Sequence, residues 1–396
     1  MMNKVLRIVM AGGGTGGHLY PGLAVAEALG RRVEGGGLEI VWAATPRAVD
    51  QRLLRVFGDR YVQQAVQPLA KSIWKWWGFW RGWRQTVKYW ERSFAANRAD
   101  CVVALGGYAA GPAAFVAAKR KIPVVLLNPD ALPGLANRLL MKRADVVVTQ
   151  WALKEEFTRG LKGKVKMLGC PIRAELLKKD RAHGAMRFNI DPAKRTLVIT
   201  GASLGAKTIN DAFLRMLWSP TIRAAFEGKS ERRGGGVSAW QIIHLAGLDQ
   251  EAAVREAYKH WPEMLVRVVG YCDDMASVWS VADLAIARAG ASTCAELTAC
   301  GVPSVLLPYP YHKDMHQRAN AQELVNAGAA VIVEDKKRAE LNAVAIQKAL
   351  QSLLYEDEVR LKMVAAATAV GRPRAADEIA GEILALQGRT ACKHAG

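Results

Sequence analysis

The sequence predicts an α/β protein built from two doubly wound, Rossmann-like domains. Short runs of β-branched and apolar residues alternate with longer stretches of helical periodicity, a pattern typical of parallel sheets covered by helices. The alternation pauses in a Gly-Cys-Pro-Ile-Arg segment at residues 169–173 and then restarts, and 396 residues are enough for two or three domains. Because ligands of such sheets bind at the carboxyl ends of the strands, we expect the functional site in a cleft between the domains.

Each half contains five predicted strands, and a basic, polar stretch at residues 178–187 separates the two sets. In the first half, strands are predicted at residues 6–10, 40–44, 101–105, 123–127 and 145–149, and helices at 21–29, 72–98, 112–119 and 133–142. In the second half, strands are predicted at residues 196–200, 241–245, 266–269, 284–287 and 304–307, and helices at 274–281 and from about 292. We therefore predict an N-terminal domain at residues 1–173 and a C-terminal domain at 174–370. A last helix and tail at 371–396 is expected to pack back on the N-terminal domain.

The chain is strongly basic. It carries 55 Lys and Arg residues against 36 Asp and Glu, a formal net charge of +19. This surplus predicts an anionic partner, which could be a nucleic acid, an acidic membrane surface or a phosphorylated substrate. The six cysteines include no C-x-x-C pair, which favours reduced thiols over a disulfide framework or a zinc site. No uncharged run approaches the ~20 apolar residues that span a bilayer, so any membrane contact is expected to be peripheral.

A glycine-rich loop at residues 12–17 follows the first predicted strand and ends at His18. It fits the G-x-G-x-x-G pattern of dinucleotide-binding folds, but the second strand ends without the acidic residue that would hold a ribose, which disfavours an NAD-dependent oxidoreductase. Glycines let a ligand approach the backbone, and the N–H groups at a helix N-terminus attract anions. His18 could donate to a phosphate or accept a proton there. The alternative is an incidental histidine in a structural turn.

The second half repeats the strand, glycine turn and helix twice. One turn lies at residues 201–206, and another at 288–293 opens a helix that carries Glu296 in its first turn. Such a turn suits a phosphate on the N–H groups and a ribose diol on the carboxylate. A glutamate near a helix N-terminus is also an ordinary partner of the helix dipole, and this interpretation stays open.

A polar segment at residues 308–320 follows the last predicted strand, so it lies at the same edge of the sheet. His316, Gln317 and Asn320 share one helical turn, as residues that recognise hydroxyl groups would. The pair His312 and His316 has no third ligand at a suitable spacing, so no metal site is predicted.

Seven motifs occur in a fixed order, at residues 13–21, 106–112, 169–173, 201–206, 273–275, 288–296 and 312–320. Each motif alone is weak. The ordered set, from residue 5 to about 335, resembles the MurG family of UDP-N-acetylglucosamine:undecaprenyl-pyrophosphoryl-muramyl-pentapeptide N-acetylglucosaminyltransferases of peptidoglycan synthesis. The resemblance implies a GT-B fold and an inverting transfer that needs no metal or other cofactor. It also implies UDP-N-acetylglucosamine as donor, the 4-hydroxyl of a lipid-pyrophosphate-linked muramyl-pentapeptide as acceptor, and a location on the cytoplasmic face of the membrane.

The resemblance also implies roles for individual residues. In the donor site, Glu296 would bind the ribose, the turn at 291–293 the pyrophosphate, and the backbone near Cys272 the uracil. The donor-binding set is Thr15, Gly16, Gly17, Arg173, Ser203, Cys272, Ala291, Ser292, Thr293, Glu296, His316, Gln317 and Asn320. The acceptor-binding set is Gly13, Gly14, His18, Gly106, Gly107 and Tyr108. His18 would be the general base for the attacking hydroxyl, or the group that orients this base, and helix N-termini would neutralise the charge that develops on UDP.

Several positions depart from the family pattern. After residues 123–126 of the fourth predicted strand the family carries His-Glu-Gln-Asn, where this chain has Leu127-Asn128-Pro129-Asp130. An amide that contacts a sugar thus becomes a carboxylate at Asp130, which could itself serve as a base. Three further glutamines of the family are Leu204, Leu245 and His316 here. These changes keep a related UDP-sugar transferase with a different lipid acceptor open as an alternative.

An aromatic and basic helix is predicted within residues 71–94, which hold six of the twelve tryptophans. At ~100° per residue, one apolar stripe collects Trp76, Phe79, Trp80, Trp83, Val87, Trp90 and Phe94. We expect most of this stripe to pack into the core. Trp74 and Trp77 project instead on the basic side, with Arg81, Arg84 and Lys88, a composition typical of a membrane-surface anchor. Single-stranded nucleic acid would also suit this composition, but no nucleic-acid module accompanies it, so an anionic membrane is the predicted partner.

Overall fold

The computed structural model describes residues 5–33, 37–68, 76–161, 164–202, 205–227, 240–311 and 315–394. The chain divides into two units, one of Met1–Arg173 with Pro373–Gly396 and the other of Ala174–Arg372. Each unit contains one parallel sheet and its own helices, which confirms the predicted α/β class with two Rossmann-like domains. Among the described residues, no helix has the length and apolar composition needed to cross a membrane.

The first sheet has seven strands. They are β1 (Leu6–Gly12), β2 (Leu38–Ala44), β3 (Tyr61–Gln63), β4 (Cys101–Gly106), β5 (Val124–Asn128), β6 (Val146–Thr149) and β7 (Val165–Lys166). Their order in space is β3-β2-β1-β4-β5-β6-β7, and all pairings are parallel. Every residue of β4 and β5 is buried, as expected for central strands of a parallel sheet that is covered on both faces.

Among the described residues of the first unit, six helices connect these strands. They are α1 (Gly16–Arg32), α2 (Ala48–Leu54), α3 (Trp76–Ala96), α4 (Gly111–Lys119), α5 (Leu135–Met141) and α6 (Glu155–Thr158). The prediction that the first helix begins at Pro21 is wrong. Thr15 is extended and caps the helix, which therefore begins at Gly16 and carries Pro21 inside it. Proline lacks an N–H, so the helix loses one backbone hydrogen bond at this position and continues through it.

The second sheet has six strands. They are β8 (Arg195–Thr200), β9 (Trp240–Leu245), β10 (Val266–Val269), β11 (Ala282–Ala287), β12 (Ser304–Leu306) and β13 (Ala330–Ile332). The order is β10-β9-β8-β11-β12-β13, again entirely parallel. All ten predicted strands are present in the two sheets. The three that the sequence did not predict, β3, β7 and β13, have only two or three residues each.

Nine helices accompany these strands among the described residues of the second unit. They are α7 (Arg181–Phe188), α8 (Lys207–Met216), α9 (Pro220–Glu227), α10 (Glu251–Ala257), α11 (Met275–Val281), α12 (Ala291–Cys300), α13 (His316–Asn326), α14 (Ala339–Tyr355) and α15 (Asp357–Val370). Helix α7 forms in the basic stretch at residues 178–187, where the sequence predicted no helix. The side chain of Asp180 caps it by accepting a hydrogen bond from the backbone N–H of His183, 2.9 Å away.

The last helix, α16 (Ala375–His394), belongs to the first unit. Its residues Ile379 and Ile383 are fully buried in the cluster that contains Val25 and Leu29 of α1. An ion pair of 2.9 Å between Arg31 and Asp377 joins the exposed sides of the same two helices. The C-terminal helix is therefore part of the layer that covers one face of the first sheet.

Candidate functional site

Two glycine segments meet at the carboxyl ends of the central strands of the first sheet. Strand β1 ends at Gly12 and β4 ends at Gly106, and a shift in their register pairs these two residues. The loop from Gly12 to Gly14 connects directly to helix α1. We call the loop residues 12–18, the segment 106–108, and the side chains that contact them the glycine-loop site.

A buried carboxylate, that of Asp50, accepts hydrogen bonds from the backbone of the first glycine loop. Asp50 of α2 is fully buried, and its oxygens accept hydrogen bonds of 2.8 Å from the N–H groups of Gly14 and Thr45 and of 2.6 Å from Thr45 Oγ1. A side chain on Gly13 (φ +155°) would collide with Asp50, so only glycine fits there. The N–H of Gly14, which the family resemblance assigns to the acceptor, thus already has a carboxylate as its partner.

The carbonyl groups of the same loop contact two side chains, those of His18 and Arg47. Gly13 O lies 3.2 Å from Nδ1 of His18, and Gly14 O accepts a 3.0 Å hydrogen bond from Nη1 of Arg47. The hydroxyl of Thr15 lies 3.2 Å from the same Nδ1 atom. Sequence reasoning missed both Arg47 and Asp50, which are separated from the loop by more than thirty residues and follow no glycine motif.

The contacts of His18 favour one tautomer of its ring. A carbonyl oxygen only accepts hydrogen bonds, so the 3.2 Å contact with Gly13 O favours a proton on Nδ1 and a lone pair on Nε2. A Cβ atom on Gly107 would lie 3.1 Å from Cε1 of His18, so the ring rests directly on this glycine. Burial lowers the pKa of His18, while the charges of Asp130 and Asp50 and the hydrogen bond to Gly13 partly oppose that shift.

Asp130 lies in the loop after β5, half-buried and within electrostatic range of His18. Its loop is held by side-chain amides. Asn128 Nδ2 donates to the backbone oxygen of Asp130 at 2.9 Å, and Asn137 Nδ2 donates to Asn128 Oδ1 at 2.9 Å. The two residues proposed for catalysis, His18 and Asp130, therefore belong to one site. Asn128 and Asn137 are buried, and no sequence pattern predicted their contact.

The remaining predicted residues of the first unit surround this loop. Thr15 and Gly17 are exposed at the start of α1, and Gly16 is buried. Tyr108 is half-buried, and burial raises its pKa, with the positive charge of Arg47 acting in the opposite direction. The guanidinium of Arg173 lies over the ring of Tyr20, 5.1 Å from its centre, so the ring of an α1 side chain orients this arginine.

In the second unit, helix α12 begins directly after strand β11 at the extended residue Gly290. Ala291, Ser292 and Thr293 form its first turn and are half-buried. The Oγ atom of Ser292 is buried and has no hydrogen-bond partner among the described residues. A buried hydroxyl at a helix N-terminus without a protein partner fits a residue whose partner is an anionic ligand.

Glu296 lies in the second turn of α12, which corrects the prediction of an acid in the first turn. The helix begins at Ala291, one residue before the predicted start, so Glu296 is its sixth residue. Oε2 of Glu296 accepts a 2.7 Å hydrogen bond from Nε1 of Trp279 on α11. This bond fixes the orientation of the half-buried carboxylate.

Three predicted residues lie on the helix α13 that follows strand β12. Gln317 Oε1 accepts a 2.9 Å hydrogen bond from the N–H of Tyr309. Asn320 is fully buried and donates through Nδ2 to Ala289 O at 3.2 Å, so it links α13 to the turn before α12. His316 is half-buried at the first position of the helix. The predicted cluster thus lies beside the first turn of α12. The side chains of Gln317 and Asn320 also form hydrogen bonds with the backbone of Tyr309 and Ala289.

Of two more residues of the predicted donor set, the structure describes Cys272 but not Ser203. Cys272 is half-buried after strand β10, its thiol donates to Asp274 O over 3.4 Å, and burial raises its pKa. Ser203, like Trp74 in the predicted membrane helix, lies outside the described residues. Asn210 of α8 donates through Nδ2 to Ala246 O at 2.9 Å.

A buried ion pair supports the α12 turn, and the sequence did not predict it. Arg288 and Asp335 are buried and lie 2.9 Å apart. Arg288 also donates to Leu307 O at 2.9 Å and to Thr208 Oγ1 at 2.8 Å. Since breaking a buried pair leaves an uncompensated charge, this network ties the ends of β11, β12 and α8 firmly together.

The aromatic helix α3 is divided between core and solvent. Trp90 and Phe94 are buried, and Trp90 Nε1 donates to Gln64 Oε1 at 3.2 Å. Trp77 is 78% exposed, as predicted, but Trp76 (40%) and Trp80 (51%) are exposed too. The prediction that most of the stripe packs into the core is therefore wrong at its N-terminal end, since the buried face there runs through Gly82 instead.

Comparison with known proteins places these observations in a family. Residues 8–149 match the glycosyltransferase family 28 N-terminal domain, and residues 196–379 match the glycosyltransferase family 28 C-terminal domain. A protein of Thermodesulfovibrio yellowstonii is 34% identical over 386 residues, which cover 94% of this chain and 97% of the relative. That relative is named a UDP-N-acetylglucosamine--N-acetylmuramyl-(pentapeptide) pyrophosphoryl-undecaprenol N-acetylglucosamine transferase.

Solved structures agree at the level of fold. The crystal structure of Acinetobacter baumannii MurG is similar with a TM-score of 0.70 and 26% identity, covering 96% of this chain and 99% of that one. A UDP-N-acetylglucosamine 2-epimerase from Listeria monocytogenes has a TM-score of 0.63 at 17% identity, covering 95% of each chain, and shows the fold alone.

Two parallel-sheet units with glycine turns at their carboxyl edges define the protein as a glycosyltransferase of the GT-B type. The matches to both domain models, and the identity over nearly the whole chain, make the class more specific. The chain belongs to glycosyltransferase family 28.

Proposed function

We propose that this protein transfers N-acetylglucosamine from UDP-N-acetylglucosamine to the 4-hydroxyl of a lipid-diphosphate-linked N-acetylmuramyl-pentapeptide. The observation that carries the proposal is the 34% identity with a transferase of this name over 94% of the chain. The glycine-loop site supports it, because His18 lies at the carboxyl edge of the first sheet and its contact with Gly13 O favours a lone pair on Nε2.

In this reaction His18 is the general base. Burial lowers the pKa of His18, so the ring is neutral at pH 7, and Gly13 O leaves Nε2 as the atom that accepts a proton. The acceptor oxygen attacks C1 of N-acetylglucosamine and gives its proton to Nε2. The bond between C1 and the diphosphate oxygen breaks, UDP leaves, and the configuration at C1 is inverted.

The second unit binds the donor. The first turn of α12, with Ser292 Oγ, would hold the diphosphate, and Glu296, oriented by Trp279, would accept hydrogen bonds from the ribose hydroxyls. Gln317 and Asn320 would contact the sugar. The N–H groups of the helix end stabilise the negative charge that UDP gains as the bond breaks.

The exposed aromatic residues of α3 dock the protein on an anionic membrane. Trp76, Trp77 and Trp80 adjoin Phe79 and Trp83, which pack successively on one another and on Phe115 of α4. The guanidinium of Arg143 lies 5.5 Å from the centre of the Phe115 ring, next to α5, where Leu135 and Leu139 are exposed. Tryptophan and basic residues settle at the headgroup level, so this surface would hold the protein peripherally on the cytoplasmic leaflet, where the lipid acceptor is.

The experiment measures UDP release by the purified protein with a panel of UDP-sugars, with and without the lipid-linked muramyl-pentapeptide. We expect release to require the acceptor and to be fastest with UDP-N-acetylglucosamine. Faster turnover with another UDP-sugar would instead identify the protein as a related UDP-sugar transferase. The departure from the family pattern at Asp130 is the reason for testing this alternative. A thermal shift with UDP but not with NAD is the matching binding test.

A further inference from the structure

The glycine-loop site contains a cation that no part of the proposed mechanism uses. Arg47 precedes helix α2, and its side chain is exposed except for one anchoring contact, the 3.0 Å hydrogen bond from Nη1 to Gly14 O. No carboxylate within the described parts of the chain forms an ion pair with it. An arginine that is held by one nitrogen at a functional loop still has donors available on its planar fork.

The loop itself offers little to an anion at Gly14. The N–H of Gly14 donates to both oxygens of Asp50, and the carboxylate beneath the loop is negatively charged. The carbonyls of Gly13 and Gly14 are directed to His18 and Arg47. A phosphate at Gly14 would therefore need a positive side chain, and the charge of Arg47 acts at the same place, since it also lowers the pKa of Tyr108 against the effect of burial.

The base and the cation are held by the same loop, as an acceptor with a hydroxyl and a diphosphate would require. Consecutive carbonyl groups of one loop hold His18 and Arg47, so the two side chains are neighbours in the site. The acceptor sugar carries its reacting 4-hydroxyl and its diphosphate at opposite ends of one six-membered ring. With the hydroxyl on Nε2 of His18, a diphosphate at the other end of the ring would lie in the neighbourhood of the arginine.

We propose that Arg47 is the residue that binds the diphosphate of the lipid-linked acceptor, with its guanidinium fixed by Gly14 O. This inference rests on the proposed function and adds a specificity-determining residue to it. Arginine forms paired, charge-assisted hydrogen bonds with phosphate oxygens, whereas lysine binds as a point charge. The site would thus select acceptors that carry a diphosphate over those with a single phosphate.

The test compares Arg47→Met and Arg47→Lys with the wild-type protein and with Arg55→Met, a neighbouring exposed arginine, as the control. Loss of charge-assisted hydrogen bonds predicts a rise of about tenfold or more in the acceptor KM of Arg47→Met, with the donor KM unchanged. Arg47→Lys should recover part of this loss, and Arg55→Met should match the wild type.

A second arm uses acceptors with a diphosphate and with a monophosphate. Wild-type protein should prefer the diphosphate, and Arg47→Met should lose this preference. An unchanged acceptor KM, or a rise in the donor KM instead, would overturn the assignment. A third outcome would also overturn the assignment. If Arg47→Met bound anionic vesicles less well but still preferred the diphosphate acceptor over the monophosphate acceptor, Arg47 would bind lipid headgroups instead. If wild-type protein released no UDP with any acceptor, the proposed function would fail, an outcome distinct from these.

Discussion

The two glycine turns look alike in sequence but use their backbones in different ways. Both follow a strand and open a helix, as phosphate-binding turns do. In the first unit, Asp50 occupies the N–H of Gly14, and the loop carbonyls hold His18 and Arg47. In the second unit, Ser292 at the start of α12 has a buried hydroxyl without a partner among the described residues. The first turn therefore positions protein side chains, and the second is suited to bind a ligand.

The largest effect is expected at His18. The variant His18→Gln keeps a polar side chain but removes the base, so kcat should fall by about 10²–10⁴-fold, the usual contribution of general base catalysis. The donor KM and the melting temperature should change little. His183→Gln, an exposed histidine of α7, is the control and should keep full turnover. Equal kcat values for the two variants would remove His18 from the chemistry.

The next effect tests the support beneath the first turn. Asp50→Asn places an amide nitrogen where a carboxylate oxygen accepts from Gly14 and Thr45, and a buried donor left without an acceptor costs about 1–3 kcal/mol. Unfolding in urea should show this loss, and kcat should fall because His18 shifts with the loop.

Asp100→Asn is the matched control, since Asp100 also accepts from a backbone N–H, that of Arg7, at 2.9 Å before strand β4. It should cost stability without lowering kcat. If Asp50→Asn kept wild-type kcat, the loop would not depend on this carboxylate.

The second turn can be tested with two serines. Ser292 and Ser304 both have a buried Oγ without a partner among the described residues, but Ser304 lies in strand β12. Loss of a hydrogen bond to a charged phosphate predicts about a tenfold rise in the donor KM for Ser292→Ala. Ser304→Ala should leave the donor KM unchanged. Similar donor KM values for both variants would contradict a phosphate site at α12.

A smaller effect concerns the membrane surface. The double variant Trp77→Ala, Trp80→Ala should pellet with anionic vesicles severalfold less than the wild type, because both side chains are exposed beside basic residues. Trp218→Ala removes a tryptophan of the second unit that is 61% exposed, and it should pellet normally. Equal loss in both proteins would indicate nonspecific adsorption by exposed tryptophan.

The smallest effect is a shift in pH dependence. The negative charge of Asp130 raises the pKa of His18 against the larger, lowering effect of burial. In Asp130→Asn the pKa of His18 should fall further, so the neutral base persists to more acidic pH and the acid limb of kcat/KM moves to lower pH. A loss of turnover as large as that of His18→Gln would instead give the base role to Asp130.

The strands and the glycine turns could be predicted from local sequence patterns. The side chains that support these turns could not, because they come from distant parts of the chain. Apolar runs predicted ten strands, and glycine turns predicted where His18 and Ser292 lie. Asp50 and Arg47 reach the first loop from another helix region, and Asp335 reaches Arg288 from beyond the last predicted strand.

Helical periodicity failed for a similar reason at α3. The periodicity assigned one apolar face to the whole helix, but burial depends on what covers each turn. Gln64, directly after β3, accepts a hydrogen bond from Trp90, while Trp76 and Trp80 are exposed. Short strands such as β7 were not predicted, because two residues are too few to show a periodic pattern of apolar side chains.

The most direct test of the account follows both products of one reaction. Wild-type protein is incubated with radiolabelled UDP-N-acetylglucosamine and the lipid-linked muramyl-pentapeptide, and UDP and labelled lipid are quantified together. We predict equal amounts of UDP and of a β-linked disaccharide lipid, and no UDP without the acceptor. UDP release that proceeds without acceptor, or label that stays in a free sugar, would contradict the assignment as a transferase to this lipid.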